Sequence, residues 1–214
     1  MTNFGDCFLG LDLGQCSDYT AVAVVERAEL KGEWDPALFA WRKVIQLRVR
    51  YLERVALGTP YPDVVERIRE MTRSGELAGR CRVIADATGV GRPVIEMLQR
   101  ADLRCRVIPV VVTGGDKEVR DGEYYRVPKR DLIAGLQVLL QQGRLQIAAG
   151  LRDCETLVGE MAGMRVRTTA AGHEQFGVWR EGQHDDLVFA VALACWGARH
   201  VYPHSGSEYW QVPL

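Results

Sequence analysis

Four aspartates stand at the ends of three apolar stretches. Asp12 closes the run FLGLD, Asp86 closes CRVIAD, and Asp185 and Asp186 open HDDLVFAVALACW. Each stretch otherwise reads as buried core, where an unpaired charge is costly. Strands ending at Asp12 and Asp86, laid side by side beneath the last helix, would bring these carboxylates together. Converging carboxylates repel one another, and a raised pKa or a bound cation relieves the repulsion. All-oxygen ligands of this kind suit magnesium or manganese. Two such ions, roughly 3.5–4 Å apart, activate a water and stabilise a leaving oxygen in phosphodiester hydrolysis.

Each acid also has a plainer use. An aspartate at a strand end near glycine forms turns, as Asp12 would, and Asp18 can form one within the following loop. Asp86 can open a helix-entry loop, and Asp185 suits a helix N-cap worth roughly 1 kcal/mol. Asp186 suits the positive end of a helix dipole. His184, just before the pair, is either a proton shuttle or donor behind the ligands, or a loop histidine satisfied by its neighbours. Together the four acids point to one site more strongly than any does singly.

Positioning them requires particular elements. Residues 8–13 and 20–25 read as strands joined by a short turn, and 39–49 as a third, half-exposed strand after a loop holding Gly32, Trp34 and Pro36. Helical spacing returns from Pro62, with Val64, Val65, Ile68 and Met71 on one face. A strand over 81–85, a helix over 92–100 and a β-branched strand over 104–112 follow. Residues 113–127 read as a polar loop, and Pro128 opens a helix ended by Gly143. A short helix over 151–161 and a ribbon of 164–168 with 175–179 precede a buried helix over 186–196. The expected architecture is α/β: a mixed five-stranded sheet, an antiparallel meander and then parallel strands, flanked by helices, with an added two-stranded ribbon. Residues 1–200 form one domain in this reading, and 201–214 a C-terminal tail without periodicity. Ligands in such sheets bind at the carboxyl ends of parallel strands, where strand order reverses.

The 214 residues carry 47% hydrophobic and 26% charged side chains, with a net charge of −1, so a strongly basic nucleic-acid binder is excluded but a local basic strip is not. Such a strip is offered by Lys117, Arg120, Arg126, Lys129 and Arg130 around the long loop, and more weakly by Arg165, Arg167 and Arg180. Cations there would neutralise phosphates without reading bases; the plainer account is a solvated loop. Six scattered cysteines, with no C-x-x-C pair, argue against zinc or a disulfide framework. With no signal peptide and no membrane-spanning run evident, a cytoplasmic setting is expected.

Four segments then acquire a common meaning. FLGLDLGQCSDYTAVAVVE, VIADATGVG, VPKRDLIAGLQVLLQQGRLQI and GQHDDLVFAVALACW, in that order, resemble the nuclease domain of viral large terminase subunits. The resemblance implies a ribonuclease H-like fold and cleavage of concatemeric double-stranded viral DNA during packaging, in the host cytoplasm. It implies that Asp12 bridges two magnesium or manganese ions, Asp86 holding one and Asp185 or Asp186 the other. Asp18 matches a further acid of the family. A packaging ATPase motor, a small terminase subunit and a capsid portal are the implied partners. No G-x-x-x-x-G-K-[ST] phosphate loop occurs, so the motor is expected on a separate chain or in a part not present here.

Three alternatives remain open at this stage. A Holliday-junction resolvase would use the same fold and chemistry on a four-way substrate. An actin-like or sugar-kinase ATP-binding protein would use DLGQCSDYTAVAVV as a phosphate hairpin and leave HDD without a role. A non-catalytic docking module of a packaging complex would need none of the acids.

Overall fold

The computed structural model describes residues 5–14, 18–89, 91–168, 174–177, 184–201 and 209–211. The chain opens with β1 (Asp6–Asp12), β2 (Ala21–Asp35) and β3 (Ala40–Arg54) as an antiparallel meander. Helix α1 (Tyr61–Arg73) leads to β4 (Cys81–Asp86), and α2 (Gly91–Arg100) to β5 (Arg106–Thr113). Both strands run parallel to β1 and continue the sheet beyond it. Then come β6 (Val119–Asp121), β7 (Tyr124–Pro128), α3 (Lys129–Gln141), β8 (Leu145–Ile147) and α4 (Cys154–Gly163). The chain closes with the ribbon of β9 (Arg165–Thr168) and β10 (Glu174–Gly177), α5 (Asp186–His200) and β11 (Tyr209–Gln211).

The expected five-strand core, in the order β3-β2-β1-β4-β5, is the middle of a nine-stranded sheet. Three differences from the sequence reading extend it. Residues 113–127 are not all loop, because β7 pairs parallel with β5 and β6 folds back on β7. Gly32 and Trp34 lie in β2 rather than in a loop, since β2 and β3 stay paired out to Asp35↔Ala40. Beyond His200, where no periodicity is visible, β11 pairs with β3, and β8 pairs with another part of the same strand.

The period-two alternation of strands feeds two cores. Phe8, Ala21, Ile84 and Val110 face α3 and α5, whereas Leu9, Val22, Val83 and Ala85 face Val64, Ile68, Ile95 and Leu98 of α1 and α2. In α1, Pro62 occupies the first turn, where a missing N–H costs nothing, and its apolar stripe is the buried one. Helix α5 is buried all round from Asp186 to Ala198, as its unbroken apolar sequence requires. It lies on the sheet on one side and is covered by α3 and α4 on the other.

This helix approaches the sheet through glycines. A Cβ on Gly10 of β1 would stand 1.9 Å from the Ala190 carbonyl oxygen, and one on Gly197 would stand 2.5 Å from Cγ1 of Ile84. Cys7, Cys81, Cys154 and Cys195 are buried and Cys105 half-buried, all as free thiols; Cys16 lies outside the described residues. Among the described residues no helix is long and apolar enough to cross a membrane.

We expect Gly10→Ala to destabilise the protein by at least the ~1–3 kcal/mol of ordinary overpacking, because its clash is with backbone. Gly75→Ala, with nothing within 4 Å, should stay within about 0.5 kcal/mol of wild type. Urea unfolding of both variants checks this, and wild-type stability of Gly10→Ala would contradict the close approach of α5.

Candidate functional site

The meander and the crossovers point six strands, β1, β3, β4, β5, β7 and β8, the same way. The last parallel pair between β1 and β4 is Leu11↔Ala85, so Asp12 and Asp86 follow as neighbours at adjoining carboxyl ends, on strands about 4.8 Å apart. Asp12 pairs with Ala21, and Ala21 with Arg54, which sets the end of β3 on the same edge. After β3 the chain returns on the opposite side of β1, so strand order reverses between β1 and β4, where an α/β sheet binds its ligands. Helix α5 begins over this edge with Asp186 as its first residue.

Asp12 feels the charges of the other three acids. Asp12 is held well above the usual carboxylate range, first by burial and then by the charges of Asp86, Asp186 and Asp185, with Lys129 opposing. Among the described residues its side chain makes no ion pair or hydrogen bond. Asp86 is raised by burial, against the hydroxyl and amide of Thr88 and the charge of Lys129. Its Oδ1 accepts the Thr88 N–H at 2.7 Å, and Thr88 Oγ1 accepts the Val112 N–H at 2.7 Å, so Asp86 serves the loop that follows β4.

Asp186 is 6% exposed and pushed up to about 6 by burial, while Arg54 and His184 pull it down. Its Oδ2 is buried without a hydrogen-bond partner, 3.7 Å from Arg54 Nη2 and 3.8 Å from His184 Nδ1. Asp185 occupies the N-cap position of α5 but makes no side-chain cap bond. Its Oδ2 instead pairs with Lys129 Nζ at 3.3 Å, and that ammonium lies 4.2 Å above the Phe189 ring.

His184 stands edge-on to Tyr19, with ring centroids 5.1 Å apart. Exposed Asp18 is close enough for its charge to raise Asp186. The basic strip is divided. Arg130 pairs with Asp116 at 3.0 Å and Asp131 at 3.3 Å, and Arg120 donates to the Gly122 carbonyl at 3.3 Å beside the Tyr125 ring. Lys117 and Arg126 are exposed and make no ion pair among the described residues. Arg165 is tied to the Ala162 and Met164 carbonyls, while the Arg167 side chain and Arg180 lie outside the described residues.

Two residues not singled out from sequence join the site. Arg54, at the end of β3, forms an ion pair with Glu160 of α4. Glu160 is 7% exposed, pushed up to about 7 by burial against the Val188 amide and Arg54, and its Oε2 accepts the Val188 N–H at 3.0 Å. The signal was present in Cys154, Leu157 and Glu160, a buried row at helical spacing whose last member is charged.

Oxygen donors from three elements, with a buried Asp186 oxygen lacking a proton donor, fit a hard divalent cation. Among the described residues no three side chains already close into a coordination sphere.

A family model described as Terminase RNaseH-like domain matches residues 62–196. The large terminase subunit of Thermus phage G20c is 25% identical over 186 residues, covering 87% of this chain, and the chain spans 30% of that protein's length. The crystal structure of the G20c large terminase nuclease with bound magnesium superposes with a TM-score of 0.62 at 24% identity, covering 91% of this chain and 82% of that one. The human cytomegalovirus terminase nuclease domain, soaked with manganese, gives 0.54 at 14% identity, covering 98% and 89%. The shared fold is ribonuclease H-like.

The raised acids make a pH prediction. A folded carboxyl that keeps its proton longer than the unfolded one adds stability at low pH, and that stability fades as pH rises through its folded pKa. Asp186, from 3.8 to about 6, and Glu160, from 4.5 to about 7, place the loss between roughly pH 4 and 7. In EDTA the melting temperature should therefore fall across this window. Manganese should restore it, most at the alkaline end where the ligands are ionised. A melting temperature in EDTA that rises with pH would contradict the arrangement.

Proposed function

The chain belongs to the terminase RNaseH-like domain family, and on that premise we propose that it is a metal-dependent DNA endonuclease that cuts concatemeric viral DNA during genome packaging. The observation that carries this reading is the meeting of acids from β1, β4 and α5 at one sheet edge, with a buried oxygen of Asp186 left without a hydrogen-bond partner. Asp12, Asp86 and Asp186 would hold two divalent cations, magnesium or manganese. When bound, these supply water activation and charge stabilisation at the leaving oxygen, so no protein nucleophile is required.

The chain's own residues supply the rest. Asp12, which feels the charges of Asp86 and of both acids at the start of α5, would be the acid best placed to hold metal together with them. Lys129 holds Asp185 aside and offsets the crowded negative charge that a phosphodiester would meet. His184, beside Asp186, is placed to carry a proton to or from that edge. Within the basic strip, Lys117 and Arg126, which are exposed and make no ion pair among the described residues, are the better candidates for DNA phosphates. Arg120 and Arg130 first serve their own loop. Recognition by phosphate contact alone leaves cut-site choice to partners: the packaging motor, the small terminase subunit and the capsid portal. ATP-driven translocation would come from that motor, since these residues contain no phosphate loop.

The kinase-like alternative has no use for the acids of α5. A resolvase would differ in preferring four-way junctions to plasmid. The assay is incubation of supercoiled plasmid with manganese, magnesium or EDTA. We expect metal-dependent nicking and linearisation, abolished in Asp12→Asn, Asp86→Asn and Asp186→Asn with circular dichroism unchanged. Asp185→Asn should lose only about 10- to 100-fold, the usual effect of a residue behind the ligands. Near-normal cleavage by Asp12→Asn would remove it from the site.

A further inference from the structure

Among the described residues, three buried side-chain polar atoms lack a hydrogen-bond partner, and two of them, Arg54 Nε and Asp186 Oδ2, share one cluster. An arginine paired with a buried carboxylate would ordinarily close on it to hydrogen-bonding distance, because charge-assisted hydrogen bonds are the strong ones. Here it does not. Arg54 Nη2 is taken by Glu160 Oε1, and the remaining gap to Asp186 Oδ2 is 3.7 Å, beyond hydrogen-bonding distance.

Glu160 is itself immobilised, since its other oxygen accepts the Val188 N–H in the first turn of α5. That bond satisfies one of the unpaired amides of the helix start, which Asp185 leaves uncapped. Arg54 is fixed from two further sides. Its guanidinium lies 4.7 Å from the centre of the Tyr19 ring, and its backbone N–H donates to Asp153 Oδ2 at 3.1 Å.

We propose that Glu160 is a positioning residue that holds Arg54 away from Asp186, keeping the Asp186 carboxylate available to a divalent cation. Arg54 then contributes a nearby positive charge without occupying the ligand position. Loss of the Glu160 charge frees Arg54 to tighten its 3.7 Å ion pair with Asp186 into a hydrogen bond and compete with the cation. This inference rests on the metal-site reading and extends it to two residues that ligate nothing.

The test is manganese binding, measured by titration calorimetry and by the manganese concentration giving half the maximal thermal shift. Four proteins are compared: wild type, Glu160→Gln, the double variant Glu160→Gln/Arg54→Gln, and Asp186→Asn. Glu160→Gln keeps an oxygen that can accept the Val188 N–H, so the fold is retained. It should raise the half-saturating manganese about 10-fold, the lower end for residues behind a metal ligand. Its cleavage should be lost at low manganese and recover at high manganese. The double variant, with no arginine to compete, should bind manganese more tightly than Glu160→Gln.

A merely structural Glu160 would not be rescued by a second substitution. Unchanged binding in Glu160→Gln, or a double variant as weak as the single one, overturns the inference while leaving the metal site standing. Wild-type binding no tighter than that of Asp186→Asn overturns the metal-site reading, and this inference with it.

Discussion

The approach of α5 to the centre of the sheet is the constraint on which the rest depends. Gly10 and Gly197 remove the two side chains that would hold helix and strands apart. The helix therefore lies directly on β1 and β4, and its first residue is carried to the edge where those strands end. A wider separation would leave Asp186 stranded above Asp12 and Asp86. The same packing buries α5 on every side, so its first turn must find polar partners in the protein rather than in water.

That demand is met from a distance. The acid at the N-cap position is turned outward to Lys129, and the amide of Val188 is satisfied by Glu160 from another helix. Glu160 of α4 thus serves the backbone of α5, while Asp186, in the helix start itself, lies among the other acids. Burial raises Asp12, Asp86, Asp186 and Glu160 together. Like charges kept this close are relieved by protons or by a cation, and Lys129 and Arg54 moderate the charge from opposite sides of the site.

The acids were legible in the sequence because they break apolar runs; a charge at the end of FLGLD or at the start of LVFAVALACW stands out against its neighbours. The helices were legible for the same reason, since their stripes are long and regular. Arg54 was not, because an arginine in a half-exposed strand such as RVRYLER is ordinary, and its partner lies 106 residues away. Strand β7 was hidden by a glycine before it and a proline at its end, both of which read as loop. Three-residue strands such as β8 and β11 are too short to show periodicity, and only their pairing with β3 makes them strands. The proposed metal-facing role of Asp186 rather than Asp185 rests on burial and on the lysine paired with Asp185, which local pattern does not encode.

The pairing of β8 and β11 bears on how the molecule survives at high concentration. A wide sheet ending in a fifteen-residue strand offers a row of unpaired amides and carbonyls on which another chain can template itself. On β3 that row is interrupted twice, at Ala40–Arg42 by β11 and at Leu47–Val49 by β8. The opposite border is β6, only three residues long and carrying Arg120 and Asp121. Both margins are thereby blunted against edge-to-edge growth, a safeguard against aggregation built from the shortest strands of the fold.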